Sequence, residues 1–319
     1  DAKDSGNEKD LDLSKVRFTN GVTYDEQSGK LVIPVGVKDF AVLIPTLVDG
    51  VHELDESYSL NVGGVSDTGI IENIDSTALT VESVADVAEG SKAVFSVNLS
   101  NPSSENIDVS LAISLDGDVT SAEDADFKDI GELFTAYYLE PQQSGEPKRV
   151  ELQVEIKGGK PTVTIPNGET EIFVEVATKD DPVFEGGEDF ELVVTDESKY
   201  VSNGTDSAEA TILDDGSDPD GPQGPQVGND DRPVVERISD IEIEEGQSGT
   251  FVVELSNSSE LKTTIEMSLN DGSAVSVDGQ PTEGDFNASS VVVTFGEGAN
   301  KQSQTVEVVN GKFVVSVPE

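Results

Sequence analysis

The sequence predicts an all-β protein built as a tandem array of antiparallel β-sandwiches, and three observations carry that prediction. Short runs alternate apolar and polar residues with period two. Clusters of Gly, Asn, Asp and Pro separate the runs. Whole segments return at fixed spacing along the chain.

The alternation is plain in Val94-Phe95-Ser96-Val97-Asn98-Leu99, in Val150-Glu151-Leu152-Gln153-Val154-Glu155-Ile156 and in Glu171-Ile172-Phe173-Val174-Glu175-Val176. It returns in Thr250-Phe251-Val252-Val253-Glu254-Leu255 and Thr305-Val306-Glu307-Val308-Val309. Successive side chains of a strand point to opposite faces, so such runs are strands with one buried and one wet face. No long segment sustains a 3.6-residue period. Asp116-Gly117 and Asp271-Gly272 read as hairpin turns. Of Tyr137-Tyr138, Tyr138 is expected to pack inward, at the place where the later copy has Phe295.

The repeats set the domain organisation. Ile33-Pro34 and Asp49 … Glu53 … Glu56 return 132 residues later as Ile165-Pro166 and Asp181 … Glu185 … Glu188. Glu89-Gly90 … Phe95 … Leu99-Ser100-Asn101 returns 156 residues later as Glu245-Gly246 … Phe251 … Leu255-Ser256-Asn257, and Asp126-Phe127 returns as Asp285-Phe286. One complete module is therefore expected over residues 76–216. Residues 1–75 read as the back part of a preceding copy, and residues 234–319 as the front part of a following one. A Pro/Gly/Asp-rich linker, 217–233, joins the last two and is expected to be a semi-stiff spacer unless a cation folds it. The chain reads as a window on something longer.

Composition narrows the chemistry. Of 319 residues, 65 are Asp or Glu and 19 are Lys or Arg, a net charge of −46. Phosphate binding needs clustered cations, so no nucleic-acid partner is expected, and docking on anionic lipid is disfavoured. No apolar run approaches the roughly 18 residues that span a bilayer, so no membrane insertion is expected. There is no Cys and one His, His52, which removes thiolate sites and most His-based catalysis. His52 reads as a loop residue. No Gly-rich phosphate loop or Ser/His/Asp grouping is present, so the chain is not expected to be an enzyme. What remains is a surplus of carboxylates, the ligands that hard divalent cations prefer.

In the central module these acids fall at strand ends and loops. Glu89 lies at the first turn and Asp126 before Phe127. Asp180 and Asp181 follow one strand, Glu185 and Glu188 open the next, and Asp214 and Asp215 close the last. Alternate loops of an antiparallel sandwich converge at one end, where crowded carboxylates repel and a divalent ion would relieve them.

The segment Glu89-Gly90 … Asp126-Phe127 … Asp180-Asp181-Pro182-Val183-Phe184-Glu185-Gly186-Gly187-Glu188-Asp189-Phe190 … Asp214-Asp215 resembles a Calx-β domain, an immunoglobulin-like calcium module. The resemblance implies Ca²⁺ as the ion. It implies Glu89, Asp126, Asp180, Asp181, Glu185, Glu188, Asp214 and Asp215 as its ligands, with Asp49, Glu53 and Glu56 in the first repeat and Glu245 and Asp285 in the third. The first repeat departs from the pattern, with Val48 in place of Asp180 and Asn73 in place of Asp214, so a weaker site is expected there.

A second resemblance, of Asn20-Gly21-Val22-Thr23-Tyr24-Asp25 … Ser28-Gly29-Lys30-Leu31-Val32-Ile33-Pro34 … Asp55-Glu56-Ser57-Tyr58-Ser59-Leu60-Asn61-Val62-Gly63-Gly64-Val65, is to repeats of giant RTX-type adhesins, which are type I-secreted. It implies an extracellular, cell-surface extender for adhesion or biofilm formation, stiffened by calcium and contacting neighbouring repeats of the same protein. Two alternatives stand beside it. One is a peptide- or glycan-binding module with host or glycan contacts, using the stretch 128–149. The other is a self-assembling filament subunit joined by strand complementation between half-domains.

Overall fold

The computed structural model describes residues 2, 9–117, 121–213, 231–277, 284–296 and 301–317. The chain is all-β: among these residues the only helices are the single turns Leu13–Lys15, Asp124–Asp126 and Ile130–Leu133. None is long and apolar enough to cross a membrane.

The middle of the chain forms a two-layer sandwich. One sheet has six strands in the order Val154–Lys157, Lys160–Ile165, Ile107–Ser114, Gly187–Asp196, Thr205–Leu213 and Val87–Ala88. The other has five, in the order Lys148–Leu152, Phe134–Glu140, Glu171–Ala177, Lys92–Leu99 and Leu79–Ser83. Neighbours run antiparallel except Val87–Ala88, which lies parallel to Thr205–Leu213 with Val87 opposite Ile212. The chain thus leaves one sheet after Ser83 and enters the other at Val87. This crossing carries Glu89 to the end of the sandwich.

The period-two pattern is spent as expected. Ile172, Val174 and Val176 turn into the layer between the sheets, where Val97, Ile107, Val109, Leu192 and Val194 meet them, all fully buried. Each such side chain contributes about 1.5–3 kcal/mol relative to an exposed position. Phe190 packs edge-on against Phe95 and Phe127, with ring centres 5.9 and 5.1 Å apart. Phe127 is therefore anchored in the core, and that anchor fixes its neighbour Asp126. Tyr138 packs against the core from its rim. Tyr137 stacks on Phe173 and carries the Arg149 guanidinium 3.6 Å from its ring centre.

The flanking segments form two-stranded ladders among the described residues, and their registers repeat those of the central sandwich. Val235 faces Leu255 as Leu79 faces Leu99. Thr263 faces Val317 as Ile107 faces Ile165. In the first segment Glu56 faces Ile71 as Glu188 faces Ile212, and Leu11 bridges Thr46 as Phe127 bridges Thr178. The sequence repeat is thus a repeat of backbone pairing.

The two Asp-Gly pairs correct an expectation, because among the described residues neither joins two strands that pair with each other. Ile107–Ser114, before Gly117, pairs with Lys160–Ile165 and Gly187–Asp196. Thr263–Ser268, before Gly272, pairs with Lys312–Val317. Long-range pairing overrides the local turn signal here.

One charged group on the outer face of the five-stranded sheet is buried. Glu175 accepts hydrogen bonds from Lys92 Nζ (2.9 Å), Thr135 Oγ1 (2.7 Å) and Arg149 (2.7 Å). The Arg149 guanidinium, ahead of Thr135 and Lys92, holds its carboxyl down to about 2. Because the folded value lies below the unfolded one, this stabilisation is complete above the ordinary glutamate value of 4.5 and is lost as pH falls through about 2. Glu175→Ala is expected to cost about 2 kcal/mol at pH 7 and to remove part of the acid sensitivity, as read by urea denaturation at pH 7 and pH 3.

Candidate metal centre

The carboxylates gather at one end of the central sandwich because the backbone there is tightly tied. Glu89 N–H donates to Leu213 O (3.1 Å), and Gly90 N–H donates to Lys179 O (2.9 Å). Lys179 N–H in turn donates to Asp126 O (2.7 Å). These three bonds bring the first turn, the Asp126 turn and the loop after Glu171–Ala177 together. Gly90 has φ +70°, and a Cβ there would stand 2.7 Å from Asp180 Cβ. Only glycine permits that approach.

Side chains complete the arrangement. Glu89 Oε1 accepts from Asp181 N–H (2.9 Å), and Asp181 Oδ1 accepts from Val183 N–H (2.8 Å). Three groups of carboxylates result, each with ligand atoms within 4.8 Å of one another: Glu89, Asp180 and Asp231; Glu89, Asp181 and Glu185; and Asp126, Glu185 and Glu188. The groups share Glu89 and Glu185, so seven carboxylates form one continuous chain. Glu89 and Asp126 are buried. Burial, then the charges of Asp126 and Glu185, push the Glu188 carboxyl up to about 8, with Glu260 of the third segment adding to the effect.

A smaller version lies in the first segment, where Asp10, Glu53 and Glu56 come within 4.8 Å of one another. Leu47 N–H donates to Asp10 O (2.9 Å), as Lys179 N–H does to Asp126 O. Asp10 therefore stands where Asp126 stands in the central module.

Six of the sequence-predicted residues, Glu89, Asp126, Asp180, Asp181, Glu185 and Glu188, are brought together, as are Glu53 and Glu56. Asp49 belongs to no carboxylate group of three or more among the described residues; it accepts from Val51 N–H (2.9 Å). Glu245 and Asp285 are exposed and also in no such group, Asp285 Oδ2 accepting from Val275 N–H (2.8 Å). Asp214 and Asp215 lie outside the described residues, as does most of the predicted linker. His52 sits in a loop, its Nδ1 3.0 Å from Asp75 O and its ring against Tyr200.

Sequence reasoning missed Asp10 and Asp231. Asp231 stands 156 residues after Asp75, which is in none of these groups, so the repeat offset gave no signal for it. Asp10 was hidden because the chain from Asp10 to Thr46 is sixteen residues shorter than that from Asp126 to Thr178. Only the apolar residue after each Asp, Leu11 or Phe127, marks the match.

The Calx-beta domain family matches residues 156–216 and 229–316, together just under half of the chain. The first stretch takes in the Asp180–Glu188 loop, and the second covers most of the third segment. These parts are similar to a Calx-beta domain, a non-enzymatic family whose members bind calcium. No curated protein matches the chain.

The residues present fit such an ion. Every donor in the groups is a carboxylate oxygen, the preference of Ca²⁺, and the Gly90 cradle lets Asp180 close beside Glu89. A folded-state carboxyl raised as Glu188 is makes the ion-free protein less stable as pH rises from the ordinary glutamate value of 4.5 through about 8. With divalent ions chelated, Glu188→Gln is expected to flatten that slope and to raise the melting temperature at pH 8.5. Calorimetric melts of both proteins between pH 5 and 8.5 provide the check.

Proposed function

We propose that this chain is a non-catalytic, calcium-stiffened extender segment of a secreted bacterial surface adhesin. The supporting observation is the unbroken chain of seven carboxylates at the end of the central sandwich that faces the third segment. Asp231, next to the third module, shares a group with Glu89 and Asp180 of the central one. Bound Ca²⁺ would supply positive charge where the chain has stacked negative charge. Glu89, Asp126, Asp180, Asp181, Glu185, Glu188 and Asp231 would hold it in the central module, and Asp10, Glu53 and Glu56 in the first segment.

The chain's own residues do the mechanical work. Two carboxylate oxygens about 4.8 Å apart repel by on the order of 3 kcal/mol at an effective dielectric of about 20. Without a counter-charge that repulsion opposes the loop ties at Gly90 and Lys179. Low calcium would then favour loose modules during export, and high calcium outside the cell would favour a stiff string. The adhesin setting rests on the resemblance of the first segment to RTX-adhesin repeats and on the repeat architecture. Tyr137 gives little support to a ligand platform, since it is already engaged by Phe173 and Arg149.

Saturating calcium, at about 100 times its dissociation constant, is expected to add about 2.7 kcal/mol per site. That raises the melting temperature by several degrees and lengthens the maximum dimension in small-angle scattering relative to chelated protein. Asp10→Asn is expected to lower calcium stoichiometry in titration calorimetry while leaving the central binding isotherm intact. If calcium changes neither the melting temperature nor the maximum dimension, this reading is wrong.

A further inference from the structure

Among the described residues a parallel backbone contact joins consecutive segments at each of two places, and the two are the same contact. At the first, His52 bridges Ser103 in parallel orientation: His52 N–H donates to Pro102 O (2.8 Å) and Ser104 N–H donates to His52 O (3.0 Å). At the second, Val183–Phe184 pairs in parallel with Ser258–Ser259, and Glu260 N–H donates to Phe184 O (2.9 Å). Phe184 follows His52 by the 132-residue offset, and Ser259 and Glu260 follow Ser103 and Ser104 by the 156-residue offset. The two offsets are independent, so the coincidence of partners is a property of the modules.

The linkers differ between these junctions. Seven residues, 72–78, separate Ile71 from Leu79, whereas twenty-two, 213–234, separate the equivalent Ile212 and Val235. A tether sets only the local concentration of its two ends, and this change in length lowers that concentration roughly fivefold to sixfold. Length alone carries no information about angle. Backbone pairing does, because each bond fixes a register. Pairing is what the two junctions share, although at the first the linker is tied as well, Asn73 N–H donating to Asp55 Oδ1 (3.0 Å) and Asn101 Nδ2 to Ser76 O (2.7 Å).

We propose that loop 51–53 on 102–104, and loop 183–185 on 258–260, are two copies of one interlocking joint, and that this joint, not the length of the linker, fixes the angle between consecutive modules. The partner each face fits is the next module of the same chain. The second copy has an added apolar lock: Gly186, at φ +100°, leaves room for Leu261, whose Cδ1 would lie 3.0 Å from a Cβ at that position. The same loop presents Glu185 to the carboxylate groups, so the joint and the candidate metal centre share a segment. This deepens the extender reading, since a stiff string needs a defined angle at each junction.

The chain has no cysteine, so two introduced ones report alone. With Thr80→Cys and Thr305→Cys on exposed strand positions, spin labels read the distance between the central and third modules in the full chain, in calcium-containing buffer. The parent is expected to give one narrow distance. Deleting residues 217–228 is expected to leave that distance unchanged. Glu260→Pro removes the N–H that donates to Phe184 O and is expected to broaden the distribution severalfold; Gly186→Ala is expected to do the same through backbone strain at φ +100° together with crowding of Leu261 Cδ1. Glu260→Gln keeps the N–H and is expected to match the parent, which separates the backbone bond from the charge. A broad parent distribution, a deletion that moves the peak, or a proline variant indistinguishable from the parent overturns the proposal. Failure of the extender reading shows elsewhere, as a melting temperature and maximum dimension indifferent to calcium.

Discussion

Like charge held at close quarters is the constraint around which the rest of the molecule is arranged. The chain carries 46 more acidic than basic side chains, and a folded chain of that charge must keep its carboxylates apart or give them a counter-charge. On the sheet faces it gives them cations: Lys92 and Arg149 on Glu175, Lys157 on Asp108, Lys160 on Glu197. At the end of the sandwich it does the opposite, drawing Glu89, Asp126, Asp180, Asp181, Glu185, Glu188 and Asp231 together. Such crowding is retained only where the backbone is held by other means. Here those means are the bonds from Gly90 to Lys179 and from Lys179 to Asp126, and the Phe127–Phe190 contact in the core.

That placement ties chemistry to mechanics. The loop that bears Asp180, Asp181, Glu185 and Glu188 also bears Val183 and Phe184, whose backbone meets the next segment. Anything that orders the carboxylates orders the docking strand between them. In the first segment the same loop bears Glu53 and Glu56 beside His52. The two junctions thus couple the same two features, though Val48 stands in the first where Asp180 stands in the second, and the acidic group there is smaller.

The match to Calx-beta domains falls on the back of one module and the front of the next, residues 156–216 and 229–316. Those stretches hold both sides of the second joint and most of the central carboxylates. Asp10, Glu53 and Glu56 lie outside them. There the correspondence with the central module is carried by the 132-residue repeat and by register: Leu11 with Thr46 as Phe127 with Thr178, and Glu56 with Ile71 as Glu188 with Ile212.

Much of this was legible in the residues. Alternation over Glu171–Ala177 and Lys92–Leu99 gave strands with one buried face, because side-chain period follows from backbone geometry and needs no partner to be read. Fixed offsets gave the repeat, and the resemblance to a Calx-β domain implied eight of the grouped carboxylates. What stayed hidden depends on pairing between distant segments. Asp10 joins Glu53 and Glu56 only because Leu11 bridges Thr46, across a stretch whose length differs from that of the central copy. Asp49 makes to Val51 N–H the same turn that Asp181 makes to Val183 N–H, yet only Asp181 has Glu89 and Glu185 within reach. The Asp-Gly pairs gave way to long-range ladders, and the joints at His52 and Phe184 involve loops with no alternating pattern at all. Composition and periodicity determined that the chain would be acidic, repetitive and β. Which carboxylates meet, and how one module sits on the next, was decided by hydrogen bonds between residues as distant as Glu89 and Leu213, whose register no local run of sequence encodes.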